Sequence, residues 1–368
     1  MPPQKILIIN IFGVGDVLFT TPLITNLKNY WPQVSIGYLC NQRTGEIFKN
    51  HPQVDKVFIY ERDEYHAIYR QSKIKFINKM RQTLKNIRQE KFDLAIDLSL
   101  NPSIGFFLWL VGIKERIGFD YRRRGRFLTR KMKMDGYEDQ AVTEYYLDIL
   151  KELNVPITER ALKIFPGPDD RQYAGLLLSR YGCPSTERPV AIFPGGGASW
   201  GQAASFKRWD VENYAQLADK IIEKFNVKVI LMGDQKESGL CQDLAGRMHR
   251  RPIIISGQTT LNQLAAVLEN CRLAVLNDGG PLHVAVACGT RTVSIFGPVD
   301  ERVYGPYEGF EHSQIHHDHT RIKKHLVVTK TIACRPCYRR FRMVDCAHHN
   351  CLKTLSVDEV FRKVEEAL

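Results

Sequence analysis

No apolar run in these 368 residues is long enough to cross a membrane. The longest, Ile104 to Ile113, is about half of the roughly 20 residues that a spanning helix needs. The opening MPPQKILIINIF runs straight into a strand pattern. It lacks the basic segment, long apolar core and cleavage site of a secretory leader, so the expectation is a cytoplasmic chain. Glycine and proline, 26 and 17 residues, follow no period, which excludes collagen-like and low-complexity chains. Acidic residues are in deficit, 40 against 52 Lys and Arg, for a formal charge of +12. That favours an anionic partner. There is no DxD pair to hold a metal against a diphosphate, no GK[ST] of a Walker loop and no nucleic-acid-binding module. The cysteines number nine, an odd count that reads as reduced thiols in a chain of this length.

What is present is ordinary globular composition, with a length that favours about two domains. Short β-rich runs alternate with amphipathic stretches. KILIINI, SIGYLC, VDKVFIY and FDLAIDL read as strands of a first set, with a helix predicted over Val17 to Tyr30. A longer helix carries Ile74, Ile77, Leu84 and Ile87, and another spans Asp139 to Leu153. Pro156, Pro166 and Pro168 mark a boundary. A second set follows in PVAIFPGGG, VKVILMGD, PIIISG, LAVLNDGG and TVSIFGP, with helices between them and a last one over Val357 to Leu368. Strands and helices in alternation imply parallel sheets covered on both faces. The fold class is therefore α/β, two doubly wound Rossmann-like domains, with ligands expected at the carboxyl ends of the strands.

Three loops at such strand ends could carry chemistry. Gly13 to Asp16 follows the first strand. Gly13 and Gly15 fit a G-x-G, but Leu18 stands where a dinucleotide fingerprint needs its third glycine. Asp16 is either a helix cap or a general base. Gly195, Gly196 and Gly197 in PGGGASW leave N–H groups to wrap a phosphate, with Lys207, Arg208 and Trp209 shortly after. In NDGGPLHVAVACGT, Asp278 ends a strand, Gly279 and Gly280 turn the chain and His283 falls in the first helical turn, another anion site. Basic runs lie at Arg70 to Lys91, Lys114 to Lys133 and Lys323 to Arg342. They read as solvated faces or as one shared basic surface.

Taken in order, ILIINIFGVGDVLFTTPL, GIKERIGFDYRRRGRFLT, PGGGASW with its trailing Lys-Arg-Trp, and NDGGPLHVAVACGTRTVSIFGP resemble glycosyltransferase family 9. That family is typified by the ADP-heptose:lipopolysaccharide heptosyltransferases. The resemblance implies the GT-B arrangement, two Rossmann-like domains facing a central cleft. Residues 1–160 would bind the acceptor and 161–354 the donor, with 355–368 a helix packing back toward the first domain. It also implies transfer of a heptose from a nucleoside diphosphate, ADP-heptose foremost, with inversion and without a metal or other cofactor. The acceptor implied is an anionic, lipid-linked inner-core glycan. Peripheral contact with the cytoplasmic face of the inner membrane follows from such an acceptor.

By position, Asp16 matches the acidic residue proposed as base, and Lys207 a lysine on the donor phosphates. Asp278, Gly279, Gly280 and His283 match the donor signature, although Gly279 stands where that signature usually has threonine. Glu237 resembles a position that reaches the ribose or the donor sugar. Arg116, Arg122, Arg123, Arg124 and Arg126 are candidates for acceptor phosphates or acid-sugar carboxylates. Two alternatives stay open: the same fold with another sugar nucleotide or glycan acceptor, and a non-catalytic nucleotide- or nucleic-acid-binding protein. Near the end, Cys334, Cys337, Cys346 and Cys351 read C-x2-C-x8-C-x4-C. A structural zinc site, free thiols packing a tail and disulfides are the three readings of that cluster.

Overall fold

The computed structural model describes residues 2–184, 186–197, 201–309 and 324–368, with the backbone alone at 201–203. Two compact units divide the chain. Met1–Tyr137 with Val142–Glu159 form the first, and Arg160–Leu368 with Glu138–Ala141 the second.

The first unit is a six-stranded sheet of β1 (Lys5–Ile9), β2 (Ser35–Cys40), β3 (Lys56–Ile59), β4 (Leu94–Asp97), β5 (Glu115–Tyr121) and β6 (Arg130–Met134). Its order is β3-β2-β1-β4-β5-β6, parallel throughout. β1 lies at the centre, Ile6 opposite Ile36 on one side and Leu94 on the other. Ile6 to Ile9 are fully buried, which is why this strand reads as an unbroken apolar run. The helix expected over Val17 to Tyr30 is two, Val14–Leu18 and Thr21–Tyr30, parted at Phe19 and Thr20.

The second unit repeats the plan with β7 (Val190–Phe193), β8 (Val229–Leu231), β9 (Ile253–Ile254), β10 (Leu273–Asn277), β11 (Thr292–Phe296) and β12 (His325–Thr329). Its order is β12-β11-β10-β7-β8-β9, again parallel. In each sheet the chain reverses direction of growth once, between β1 and β4 and between β7 and β10. Ligands bind at such switch points, beyond the carboxyl ends of the strands. The loops after β1, β7 and β10 are the three glycine loops of the sequence.

The terminal helix, Val357–Ala367, belongs to the second unit, a correction to its expected return to the first. Val357, Val360, Val364 and Ala367 form one apolar stripe, all buried in the core with β11, β12 and helix Val211–Phe225. Arg291 and Arg272 donate to the carbonyls of Ala367 and Leu368 at 2.7 and 3.1 Å, and Lys330 pairs with Glu359 at 2.6 Å. The stripe demanded a partner, but its spacing carries no information about which sheet supplies it.

Candidate active site

The second unit brings its two glycine loops together. Asn277, the last residue of β10, is buried and donates from Nδ2 to the carbonyls of Pro194 and Gly195 at 2.9 and 3.0 Å. Its Oδ1 accepts the backbone N–H of Trp209 at 3.1 Å. One side chain thus ties the loop after β7, the segment after Lys207 and the end of β10. Sequence reasoning passed over Asn277; its only signal was an amide at the end of an apolar strand. The expected result for Asn277→Ala is a loss of about 2–4 kcal/mol, because buried carbonyls and an N–H lose their partner. Weaker nucleoside diphosphate binding should accompany it, read by urea unfolding and calorimetric titration of the same sample.

Lys207 and Asp278 form a buried ion pair, Nζ to Oδ2 at 2.6 Å, with 7% and 5% of their side chains exposed. Asp278 directly precedes Gly279, the cap of helix Gly280–Ala287, with Pro281 in its first turn. A Cβ at Gly279 would lie 3.0 Å from the Gly196 carbonyl, and one at Gly197 would lie 3.7 Å from the Gly280 nitrogen, so the two loops touch through backbone. Gly197 has φ +71°, the left-handed region that favours glycine. A helix N-terminus beside a buried ammonium is an arrangement that can receive an anion, here with Asp278 already holding the ammonium in place. His283 adds no charge to it: burial, helped by the Lys207 cation, lowers its pKa to about 3 and keeps the ring neutral.

Glu237 supports this floor from beside β8. Its carboxylate accepts the N–H groups of Gly197 and Asp234, both at 3.2 Å, and the Arg208 guanidinium lies 3.7 Å away. Burial raises its pKa. A Cβ at Gly195 would displace this carboxylate, and one at Gly196 would lie 2.6 Å from the Ala204 backbone carbonyl, so Gly196 needs glycine. Ala198, Ser199 and Trp200 of the same loop lie outside the described residues.

In the first unit Gly13 is the helix cap, and Asp16, the third residue of helix Val14–Leu18, braces it from inside: Oδ2 accepts the Gly13 N–H at 3.1 Å. Asn10 braces it, donating to the Asp16 carbonyl at 3.1 Å and accepting the Phe12 N–H. Burial raises the hydroxyls of Tyr38 and Tyr146 well above their usual pKa, and the Asp16 charge adds to this in both.

At the end of β4, Asp97 is a second carboxylate that sequence reasoning missed, hidden in the run FDLAIDL. It is buried and accepts the Ser99 N–H and hydroxyl at 2.9 and 2.6 Å, beneath a crevice lined by Asn101, Arg124, Gly125 and Phe127. Burial raises its pKa to about 6. The unfolded chain releases that proton near pH 4, so native Asp97 holds it longer, and stability falls as pH rises from about 4 to 6. Asp97→Asn removes the effect. Its stability relative to wild type is expected to rise by about 2–3 kcal/mol between pH 4 and 7, by urea unfolding. A difference independent of pH would refute the raised value.

The five candidate arginines separate. Arg116 is a staple: its Nε donates to the Phe127 carbonyl at 2.6 Å and its Nη1 to those of Ile113 and Lys114. Arg122, Arg123, Arg124 and Arg126 are exposed, and among the described residues none pairs with a carboxylate. Asp120, the nearby acid, instead accepts the Gly125 N–H at 2.8 Å and shapes the loop. In the third basic run Arg335 pairs with Glu301 at 2.8 Å and Arg340 with Glu138 at 3.0 Å, both within the second unit.

Cys334, Cys337, Cys346 and Cys351 carry free thiols. Burial, with the neighbouring thiols adding to it, pushes Cys337 and Cys351 up. Among the described residues no group of three or more His, Cys, Asp or Glu is placed to hold a metal.

Comparison with known proteins points one way. The profile of glycosyltransferase family 9 (heptosyltransferase) matches residues 80–331. Lipooligosaccharide heptosyltransferase 2 of Campylobacter jejuni is 23% identical over 360 residues, 96% of this chain and 95% of that one. Among solved structures, a glycosyl transferase of family 9 from Veillonella parvula superposes with a TM-score of 0.81 at 21% identity, covering 99% of this chain and 97% of the other. The Escherichia coli heptosyltransferase WaaC, solved with ADP-2-deoxy-2-fluoro heptose, does so with a TM-score of 0.71 at 17% identity, covering 99% and 100%.

Proposed function

The chain belongs to glycosyltransferase family 9, the heptosyltransferases, and on that footing we propose that it moves a heptose from ADP-heptose to an anionic lipopolysaccharide inner-core acceptor, with inversion and without a metal. The observation that carries the donor assignment is the buried Lys207–Asp278 pair beside the backbone of two glycine loops at the switch point of the second sheet. A relative solved with an analogue of ADP-heptose supports the choice of nucleotide.

In this reading the diphosphate lies at the N-terminus of helix Gly280–Ala287, on the N–H of Gly280, with Lys207 supplying the fixed positive charge. Glu237 and Asn277 hold those loops in place before the donor arrives. As the bond from the anomeric carbon to the diphosphate breaks, negative charge grows on the leaving oxygen. Donors already aimed at it lower the barrier. The acceptor hydroxyl gives its proton to the Asp16 carboxylate as its oxygen attacks. A single displacement of this kind inverts the anomeric centre. Arg122, Arg123, Arg124 and Arg126 are the cations available for acceptor phosphates or carboxylates.

The test is a thermal-shift panel of nucleoside diphosphates and sugar nucleotides, followed by transfer assays in EDTA. ADP and ADP-heptose should raise Tm more than other nucleotides do, since a ligand stabilises the state it binds. Turnover should survive the chelator. Equal shifts from all nucleotides, or activity lost in EDTA with Tm unchanged and regained with metal, would overturn the assignment.

A further inference from the structure

The switch point of the first sheet has two sides. The loop after β1 carries Asp16 on one of them. On the other, β4 ends at Asp97, which lies opposite Ile9 of β1, and Leu98 donates to the Ile9 carbonyl at 2.9 Å. The chain then turns through Leu100, whose φ of +52° lies in the left-handed region. A leucine avoids that region, because its Cβ crowds the following carbonyl oxygen. Leu100 is nonetheless buried in this conformation, so its neighbours must hold it there.

Asp97 and Ser99 do so. One oxygen of Asp97 accepts both the N–H and the hydroxyl of Ser99, the second at 2.6 Å, the short length of a charge-assisted bond. The Ser99 hydroxyl oxygen accepts the Asn101 N–H at 3.2 Å and so spans Leu100. The Asn101 side chain accepts the Ser103 N–H at 3.0 Å and caps helix Pro102–Val111. A single carboxylate oxygen is thus the root of a hydrogen-bond chain that fixes both the turn and the start of the helix. Among the described residues no cation offsets the Asp97 charge. A buried carboxylate without a counter-ion and a strained backbone both cost stability, and such costs gather where function needs a fixed geometry.

The turn is also a seat for the β5–β6 loop. Leu100 and Asn101 line the crevice together with Arg124, Gly125 and Phe127. A Cβ on Gly105 of the helix would lie 3.3 Å from the Phe127 Cβ, so helix and loop touch directly. That loop carries Arg122, Arg123, Arg124 and Arg126, the cations assigned above to the acceptor. We propose that Asp97 and Ser99 are positioning residues for the acceptor: through the Leu100 turn they seat the β5–β6 loop, and its arginines, before the acceptor arrives. The link to the acceptor rests on the proposed transfer reaction, whereas the seating of the loop is read without any substrate.

With ADP-heptose and a de-acylated inner-core glycan, Ser99→Ala should raise KM for the glycan about tenfold, the worth of a hydrogen bond to a charged group. Both kcat and KM for ADP-heptose should stay within about threefold of wild type. Ser99→Thr keeps the hydroxyl and should recover the wild-type KM. Asp97→Asn accepts the same two bonds without a charge and should fall between, at about threefold. Hydrogen–deuterium exchange on the free protein reads the seating: Ser99→Ala should speed exchange at least about fivefold in peptides over 122–128 as well as over 99–105, with the loop after β1 unchanged.

An unchanged glycan KM in Ser99→Ala would overturn the proposal. So would a kcat or donor KM that shifts as far as the glycan KM, since the whole unit would then have loosened, or a Ser99→Thr that recovers nothing. Faster exchange confined to 99–105 would overturn it as well. Should wild type transfer no heptose, the proposed function falls, and the exchange result alone decides whether Ser99 seats the loop. Should Ser99→Ala fail to fold, Asp97→Asn carries the same comparisons.

Discussion

Asp16→Asn is expected to bind donor and acceptor as wild type does and to turn over about 100-fold more slowly, or worse, the scale of general-base catalysis. The structure sharpens why asparagine is the right replacement. One carboxylate oxygen already closes the first turn of its helix by accepting the N–H of the cap residue Gly13 at 3.1 Å. An amide oxygen can accept the same hydrogen bond, so the turn after β1 keeps its shape. The brace from Asn10 reaches the backbone carbonyl of Asp16, which the substitution does not touch. What asparagine cannot do is take a proton from a hydroxyl. Capping and catalysis therefore predict opposite results for one substitution. Single-turnover kinetics at saturating substrates reads the chemical step alone, and a rate within a few-fold of wild type would remove Asp16 from the mechanism. Asp16→Ala removes both functions, so its loss of stability relative to Asp16→Asn measures the cap, about 1 kcal/mol.

Among the legible strands, those buried nearly along their whole length stand out most. β1, β2, β7, β10 and β11 lose both faces to helices, so their apolar runs stand out. β6 did not stand out, because an edge strand reading RKMKM exposes its charges and looks like a solvated loop. Helix Pro102–Val111 was hidden for the opposite reason. Being apolar on all sides, it has almost no amphipathic signature.

The site divides along similar lines. Glycine loops announce themselves because a backbone need excludes other residues. Asn277 does not, because an amide that joins three segments looks locally like any polar residue at a strand end. Nor could spacing separate Arg116 from its neighbours, since only the fold turns its guanidinium onto backbone carbonyls. Lys207 and Asp278 were each visible, but their pairing depends on how β7 and β10 come together.

That pairing makes Lys207 the more demanding test of the donor site. Lys207→Ala is expected to weaken nucleoside diphosphate binding by about 100-fold, roughly 2.8 kcal/mol, within the range for truncating one partner of a buried charge pair. It should also destabilise the second unit by about 3–5 kcal/mol, because it strips the cation from a carboxylate that is only 5% exposed. The two losses have different causes and need separating. Lys207→Met/Asp278→Asn replaces the ion pair with neutral side chains of similar volume, and such replacements are often close to neutral in stability. The double variant should recover most of the unfolding free energy and none of the affinity. Calorimetric titration of ADP beside urea unfolding reads both. Recovery of affinity along with stability would mean that the pair only shapes the loop after β10, and the fixed charge on the diphosphate would have to be sought in Arg208, whose guanidinium borders the same floor.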